Sequence, residues 1–162
     1  MSPPYCPQEK FDDPEVGPNM HLVNRFLIKP LTESCPPLPG ASYALLKNLR
    51  RGGLRCSLFF SHAWDEGVYE FAENALASWP DACEGAYICC LSNPQNLSIG
   101  ALLGSDPTDS PFYRVLSADP KPDALIMLAN RNTPIHSRLW ARTASRTRDL
   151  CTTLHLPKAL RV

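Results

Sequence analysis

Polar side chains follow three apolar runs of this chain, and their types suit hydrogen bonding to a small molecule. The stretch "FFSHAWDE" (59–66) places a hydroxyl, an imidazole, an indole and a carboxyl directly after the first run. Similar groups follow "AYICCLS" (86–92) and "DALIMLA" (123–129). Such groups orient a ligand through donors and acceptors. The candidate ligand-binding residues are His62, Trp64, Asp65, Asn93, Gln95, Arg138 and Trp140.

The three apolar runs predict buried strands. "LRCSLFF" (54–60), "AYICCLS" and "DALIMLA" are short and rich in bulky apolar residues, as strands covered on both faces are. Between the first two, the apolar spacing from Val68 to Trp79 predicts a helix packed on one side. The same period places Leu76 inward, and it places Glu70 and Glu73 on the solvent face.

Capping residues predict the helices that follow. "NPQNLSIGALLG" (93–104) has Asn93 as a cap, a proline in the first helical position and Gly104 past the end. "SPFYRVLSA" (110–118) repeats this start with Ser110 as the cap. Ser137 begins a last predicted helix, which would carry Leu150, Cys151 and Leu154 inward.

Strands that alternate with helices favour parallel pairing and a doubly wound α/β sheet. We therefore divide the chain into a proline-rich, extended and partly disordered segment (1–40), a short helix (41–53) that ends at Gly52, and an α/β domain (54–157). Within the first segment, "HLVNRFLI" (21–28) is apolar enough to dock as a strand or a short helix. The N-terminal region is a candidate source of a fourth strand, and the residues after 157 are too few to supply one. Parallel strands end at one edge, where ligands of such sheets bind, so the candidate residues should meet there.

Simpler explanations of the same residues remain open. Helix capping alone accounts for Asp65, Asn93 and Ser137. Trp64 can cover the end of the sheet, and His62 can bond to a neighbouring loop backbone. No GxGxxG, GxxxxGK[ST] or GxSxG sequence occurs in the chain, which disfavours the commonest nucleotide-binding and hydrolase classes.

Composition excludes several classes of partner. The 162 residues fit one domain, and 16 basic residues balance 16 acidic ones, so we expect no nucleic-acid partner and no attraction to anionic lipid. No apolar run approaches the roughly 20 residues of a membrane span, and no signal peptide is evident, so a soluble cytoplasmic protein is expected. The 7 cysteines include no CxxC pair, which disfavours both a zinc site and a redox dithiol. Buried, reduced structural thiols are expected at Cys56, Cys89 and Cys90.

Four stretches resemble TIR-like domains in order and spacing. They are "LFFSHAWDEGVYEFAENAL", "AYICCLSNPQNLSI", "SPFYRVL" and "ALIMLANRNTPIHSRLW", and the resemblance covers about residues 54–140. It is strongest to a divergent protist-type branch with a Ser-His-x-Trp motif after the first strand. The resemblance implies a flavodoxin-like fold. It also implies either signalling through association with other TIR-like domains or with itself, or cleavage of the nicotinamide bond of NAD.

The chain departs from the family pattern after Trp140. The family's R-x-W motif, matched by Arg138 and Trp140, usually continues to the glutamate that TIR NAD hydrolases use, but Ala144 stands at that position. A carboxylate stabilises the cationic transition state, and its loss costs on the order of 10²-fold in rate. The resemblance therefore implies a catalytically inactive module that needs no cofactor and retains nucleotide binding at the rim.

Two alternatives stay open. One is an NAD hydrolase or cyclase in which Asp65 is the only acid placed to compensate, and the other is a decayed or structural paralogue. The later strands of the family fold are missing, which a truncated C-terminal part or a shifted reading frame near codon 141 would explain. The amphipathic helical pattern of the tail argues against the shifted frame.

Overall fold

The sheet is fully parallel. The computed structural model describes residues 14–34, 40–130 and 151–155 of the chain. Within these ranges, 4 strands form one sheet in the order β2-β1-β3-β4. They are β1 (Leu58–Ser61), β2 (Ala86–Ile88), β3 (Ala124–Leu128) and β4 (Cys151–His155). The predicted α/β class and the predicted parallel pairing of the three apolar runs are confirmed.

Short helices precede the first strand and connect the later ones. In chain order they are α1 (Met20–Val23), α2 (Lys29–Glu33), α3 (Tyr43–Asn48), α4 (Val68–Ala77), α5 (Cys89–Ser92), α6 (Ile99–Leu103) and α7 (Pro111–Leu116). A π-helical turn (Asn24–Ile28) joins α1 to α2, and 3-10 turns occupy Leu49–Arg51 and Pro107–Asp109. None of the helices in the described ranges is long and apolar enough to cross a membrane.

Local signals place several helix ends correctly. The Ser110 side chain accepts a hydrogen bond from the Tyr113 N–H, so the predicted cap of α7 is confirmed. Gly52 and Gly104 follow helical turns with φ of 71° and 72°, the region that a residue without Cβ adopts at little cost. Asn93 is not a helix N-cap, because α6 begins only at Ile99, after Ser98.

Alternate strand residues build two cores, one on each face of the sheet. On one face, Phe60 and Ile126 pack with Phe71 of α4. On the other, Phe59 and Leu125 pack with residues of α7. The first core comprises Met20, Ile28, Leu58, Phe60, Phe71, Ala75, Cys90, Ile126 and Leu128. Helices therefore pack against both faces, as the sequence predicted.

The face of α4 differs from its prediction at two positions. Glu70 is only 6% exposed, and Leu76 is 73% exposed. The backbone N–H groups of Val68 and Tyr69 donate hydrogen bonds to the carbonyls of Pro18 and Val16. These bonds bring the N-terminal chain against the first turn of α4, on the side that periodicity assigned to solvent. The buried seam of α4 comprises Phe71 and Ala75, which leaves Leu76 outside it.

Two strand assignments also differ. The predicted second strand ends at Ile88, and Cys89–Ser92 form α5 instead, with the Ile88 N–H donating to the Ser92 hydroxyl. The predicted last helix is wrong at its end, because Cys151–His155 form β4 and pair with β3. The fourth strand thus comes from the C-terminal part and not from the N-terminal region. Adjacent β-branched threonines favour a strand there, beside the open edge of β3.

The N-terminal chain is helical over residues 20–33. A short helix was one of the two alternatives predicted for residues 21–28, whereas the residues around them were predicted to be extended. The N-terminal helical segment (residues 20–33) begins after Asn19, whose side chain accepts from the Leu22 N–H. Pro30 cannot donate a backbone hydrogen bond, and the π-helical turn before it accommodates its ring within a continuous helix. Met20 and Ile28 are 3% and 2% exposed, so this segment is part of the core.

The N-terminal helical segment lies across the edge at which the strands end. The Met20 N–H donates to the Trp64 carbonyl over 3.1 Å, in the loop after β1. Asn96 lies in the loop after α5. Its side-chain amide donates to the Lys29 carbonyl (3.1 Å) and to the Thr32 hydroxyl (3.0 Å). Residues 61–67 and 89–96, called the carboxyl edge below, are thus covered by the chain itself.

Candidate functional site

Strand pairing brings His62 and Cys89 together. Phe60 of β1 pairs with Ile88 of β2, and the two strands run in the same direction. The residues that follow each strand therefore emerge at the same edge of the sheet. His62 follows β1 directly, and Cys89 follows β2 directly. The predicted meeting of polar groups at this edge rests on that register.

His62, Glu66 and Cys89 form a buried triad. The His62 Nδ1 atom lies 2.7 Å from Glu66 Oε1, and its Nε2 atom lies 3.2 Å from Cys89 Sγ. The indole N–H of Trp64 donates to the same sulfur over 3.2 Å. The exposed fractions are 2% for His62, 1% for Glu66 and 7% for Cys89. Buried ionisable groups are stable only when paired, and each of these groups has a partner in the triad.

The triad favours a protonated His62. Burial alone lowers the pKa of an imidazole, since it disfavours the charged form. The charge of Cys89 and hydrogen bonds to Cys89, Cys90 and Glu66 outweigh that effect and hold the pKa of His62 well above its ordinary value. An imidazolium beside a thiol and oriented by a carboxylate is the arrangement that activates a nucleophilic sulfur.

Four of the predicted site residues meet around Cys89. His62 and Trp64 contact its sulfur. The Gln95 side-chain amide and the Asn93 backbone N–H both donate to the Cys89 carbonyl, over 3.0 Å and 3.2 Å. His62 and Asn93 are buried, and Trp64 and Gln95 are partly buried. The convergence predicted from the ends of the first two strands is thus present, with a cysteine at its centre.

Asp65 does not join this group. Its side chain is 58% exposed and lies 3.7 Å from the His21 imidazole. It is not a helix cap either, because the N-cap position of α4 is Gly67 and no side chain bonds there. The acid at the carboxyl edge that bonds to His62 is Glu66. Arg138 and Trp140, together with Ala144 and the predicted cap Ser137, lie outside the described residues.

A second set of hydrogen bonds extends the network to the N-terminal helical segment. The Tyr87 hydroxyl donates to Asn93 Oδ1 over 2.8 Å. Burial raises the pKa of Tyr87, so this hydroxyl stays protonated and remains a donor. The Asn24 amide donates to Gln95 Oε1 over 3.2 Å. The Asn93 and Gln95 side chains, which were predicted to face a ligand, therefore bond to the protein itself.

Sequence reasoning missed Glu66 and Cys89 as site residues. His62 and Glu66 are four residues apart, a spacing that can bring two side chains together over one turn, and this signal was available. Cys89 was interpreted as a structural thiol because it lies inside an apolar run of the sequence. Its burial, like that of Cys90, is confirmed, whereas Cys56 is only partly buried. Within the described ranges, no cluster of His, Cys, Asp and Glu side chains is arranged to hold a metal ion.

A cavity lies elsewhere, between α3 and the amino ends of β1 and β2. Its volume is about 240 Å³, and Leu45, Leu54 and Cys56 are among the residues that line it. Typical ligand pockets measure roughly 300–1,000 Å³. None of the predicted site residues contributes to it.

Comparisons with protein-family models, with curated proteins and with solved structures found no match to this chain.

Proposed function

We propose that this chain is a TIR-like signalling or interaction module with a flavodoxin-like fold, which acts by association and does not cleave NAD. The four sequence stretches quoted above support the family likeness. The strand order β2-β1-β3-β4, with all pairs parallel, also supports it. Flavodoxin-like sheets have the strand order 2-1-3-4-5, and the first four positions of that order match the sheet of this chain.

The observation that carries the proposal is the position of the N-terminal helical segment. One side of it buries Met20 and Ile28 and covers the carboxyl edge. The other side exposes Phe26, Leu27 and Leu31, which are 63%, 52% and 49% exposed. Leu27 and Leu31 are four residues apart and so lie on one side of a helix. Contiguous exposed apolar side chains are a feature of protein–protein interaction sites.

The covered edge argues against an open nucleotide site. A nucleotide such as NAD would have to replace hydrogen bonds that His62, Asn93 and Gln95 make within the protein. It would also have to displace the N-terminal helical segment. The proposed module therefore acts without a cofactor, and its partner is a second copy of the chain or another TIR-like domain.

Sedimentation velocity of the full chain over a range of concentrations tests association. We expect the wild type to form dimers or larger species. The variant Phe26→Ser/Leu27→Ser should weaken this association at least about tenfold, because burying one Leu or Phe is worth about 1.5–3 kcal/mol. Leu76→Ser is the matched control, since Leu76 is 73% exposed but lies on α4. It should associate as the wild type does.

Two results would contradict the proposal that Phe26, Leu27 and Leu31 form an association surface. One is a wild-type chain that stays monomeric at every concentration and does not bind another TIR-like domain. The other is an equal loss of association in the Leu76→Ser control.

A nicotinamide-release assay, with calorimetric titration of NAD and ADP-ribose, tests the catalytic alternative. We expect neither turnover nor heat. Turnover that disappears in Asp65→Ala would instead establish the NAD hydrolase alternative.

A further inference from the structure

The sulfur of Cys89 is the acceptor of at least one N–H donor. The Trp64 indole nitrogen can only donate, and it lies 3.2 Å from Sγ. His62 Nε2 lies at the same distance from that sulfur. A neutral thiol is a weak acceptor, whereas a thiolate accepts strongly, so two ring nitrogens around one sulfur favour the thiolate.

Glu66 determines which proton His62 presents to the sulfur. A carboxylate can only accept, so the 2.7 Å contact places an N–H on His62 Nδ1. An imidazolium also carries a proton on Nε2, and that proton points at Cys89. The resulting pair is an imidazolium and a thiolate, the form in which cysteines react.

We propose that Cys89 is a peroxide-reactive thiolate, which a small hydroperoxide oxidises to the sulfenic acid. The size of the oxidant follows from access. Cys89 is 7% exposed, the N-terminal helical segment covers its edge, and it does not line the cavity near α3. Hydrogen peroxide has two heavy atoms and can reach such a sulfur, whereas a peptide or a nucleotide cannot.

The triad supplies each group that the reaction needs. The thiolate attacks one oxygen of hydrogen peroxide, a sulfur–oxygen bond forms, and the oxygen–oxygen bond breaks. The departing hydroxide takes the Nε2 proton of His62 and leaves as water. Sulfur is oxidised by two electrons to the sulfenic acid, and the peroxide is reduced by two. Glu66 keeps the imidazole oriented throughout. This inference concerns the covered edge and does not rest on association of the chain.

Cys56 provides a matched control within the same molecule. It is more exposed than Cys89, but its thiol donates to the Leu58 carbonyl over 3.2 Å, and burial raises its pKa. Accessibility alone therefore predicts that Cys56 reacts first. The thiolate proposal predicts the opposite order.

The experiment exposes the folded, full wild-type chain to hydrogen peroxide for a series of times, removes the peroxide, then unfolds the chain in the presence of dimedone and measures the adduct at each cysteine by mass spectrometry. We expect the dimedone adduct at Cys89 to form at least about tenfold faster than at Cys56, because the thiolate is the reacting form. Equal rates, a faster Cys56 or no adduct at Cys89 would overturn the proposal. This comparison needs no variant.

Two variants separate the parts of the mechanism. His62→Gln removes the imidazolium and should lower the ratio of the Cys89 rate to the Cys56 rate about tenfold. Trp64→Phe keeps the aromatic packing and removes only the N–H donor, so it should lower the ratio by a smaller factor while the fold is retained. An unchanged ratio in folded Trp64→Phe and in His62→Gln would show that the triad does not activate the sulfur.

Discussion

Replacement of Glu66 by glutamine tests the energetics of the triad. Glu66→Gln keeps the shape of the side chain and an oxygen acceptor for His62 Nδ1, but it removes the negative charge. Both side chains are 1% exposed, so solvent does not screen the 2.7 Å contact. Hydrogen bonds to charged groups contribute about 1.5–3 kcal/mol, and breaking a buried ion pair costs about 3–5 kcal/mol. We expect the free energy of unfolding to fall by about 2–4 kcal/mol.

A second ion pair provides the control. Arg55 Nη2 lies 2.9 Å from Asp123 Oδ1, nearly the same separation, but the two side chains are 50% and 52% exposed. Exposed pairs contribute about 0–1 kcal/mol, because water screens the charges and long side chains lose entropy. Asp123→Asn should therefore lower the free energy of unfolding by no more than about 1 kcal/mol.

Urea denaturation of the full chains, followed by tryptophan fluorescence, gives the free energy of unfolding of Glu66→Gln and of Asp123→Asn. The midpoint should shift strongly for Glu66→Gln and little for Asp123→Asn, with similar slopes if the folded states are equally compact. A double-mutant cycle with His62→Gln should give a coupling of about 1 kcal/mol or more. Equal destabilisation by Glu66→Gln and Asp123→Asn, or a coupling near zero, would refute the reasoning from burial.

Two further predictions follow from contacts of the same edge. Gly67→Ala would place a methyl group against the Val16 carbonyl, so it should loosen the N-terminal chain, cost about 1–3 kcal/mol and speed its proteolysis. In the control variant Gly100→Ala, the added methyl group meets no atom closer than 3.9 Å, so the substitution should not lower stability. Equal proteolysis rates for Gly67→Ala and Gly100→Ala would contradict the prediction. Cys89→Ser removes a charge that raises the pKa of His62, so an NMR titration should find a lower pKa than in the wild type. Because folding raises this pKa, the stability contributed by His62 is complete below about pH 6.5 and is lost as pH rises through the folded value. A folded Cys89→Ser chain with an unchanged His62 titration would contradict the assigned cause.

Elements with local causes were predictable from the sequence. The apolar runs around Phe60, Ile88 and Ile126 predicted three strands, because side chains covered on both faces of a sheet must be apolar. Ser110 predicted the start of α7, because its hydroxyl bonds to an N–H only three residues away. Gly104 predicted a helix end through its own backbone freedom. In each case the cause and the effect lie within one turn or one strand.

Tertiary structure alone decided what surrounds the carboxyl edge. Cys89 lies 27 residues from His62 along the chain and reaches it only because β1 and β2 pair in parallel. The N-terminal helical segment is helical although Pro30 opposes a regular helix, because Met20 and Ile28 bury their side chains against the sheet. Propensity acts over a few residues, whereas burial and pairing depend on surfaces that only the folded chain brings together. The sequence therefore determined which groups stand at the strand ends, and the fold determined that they bond to one another.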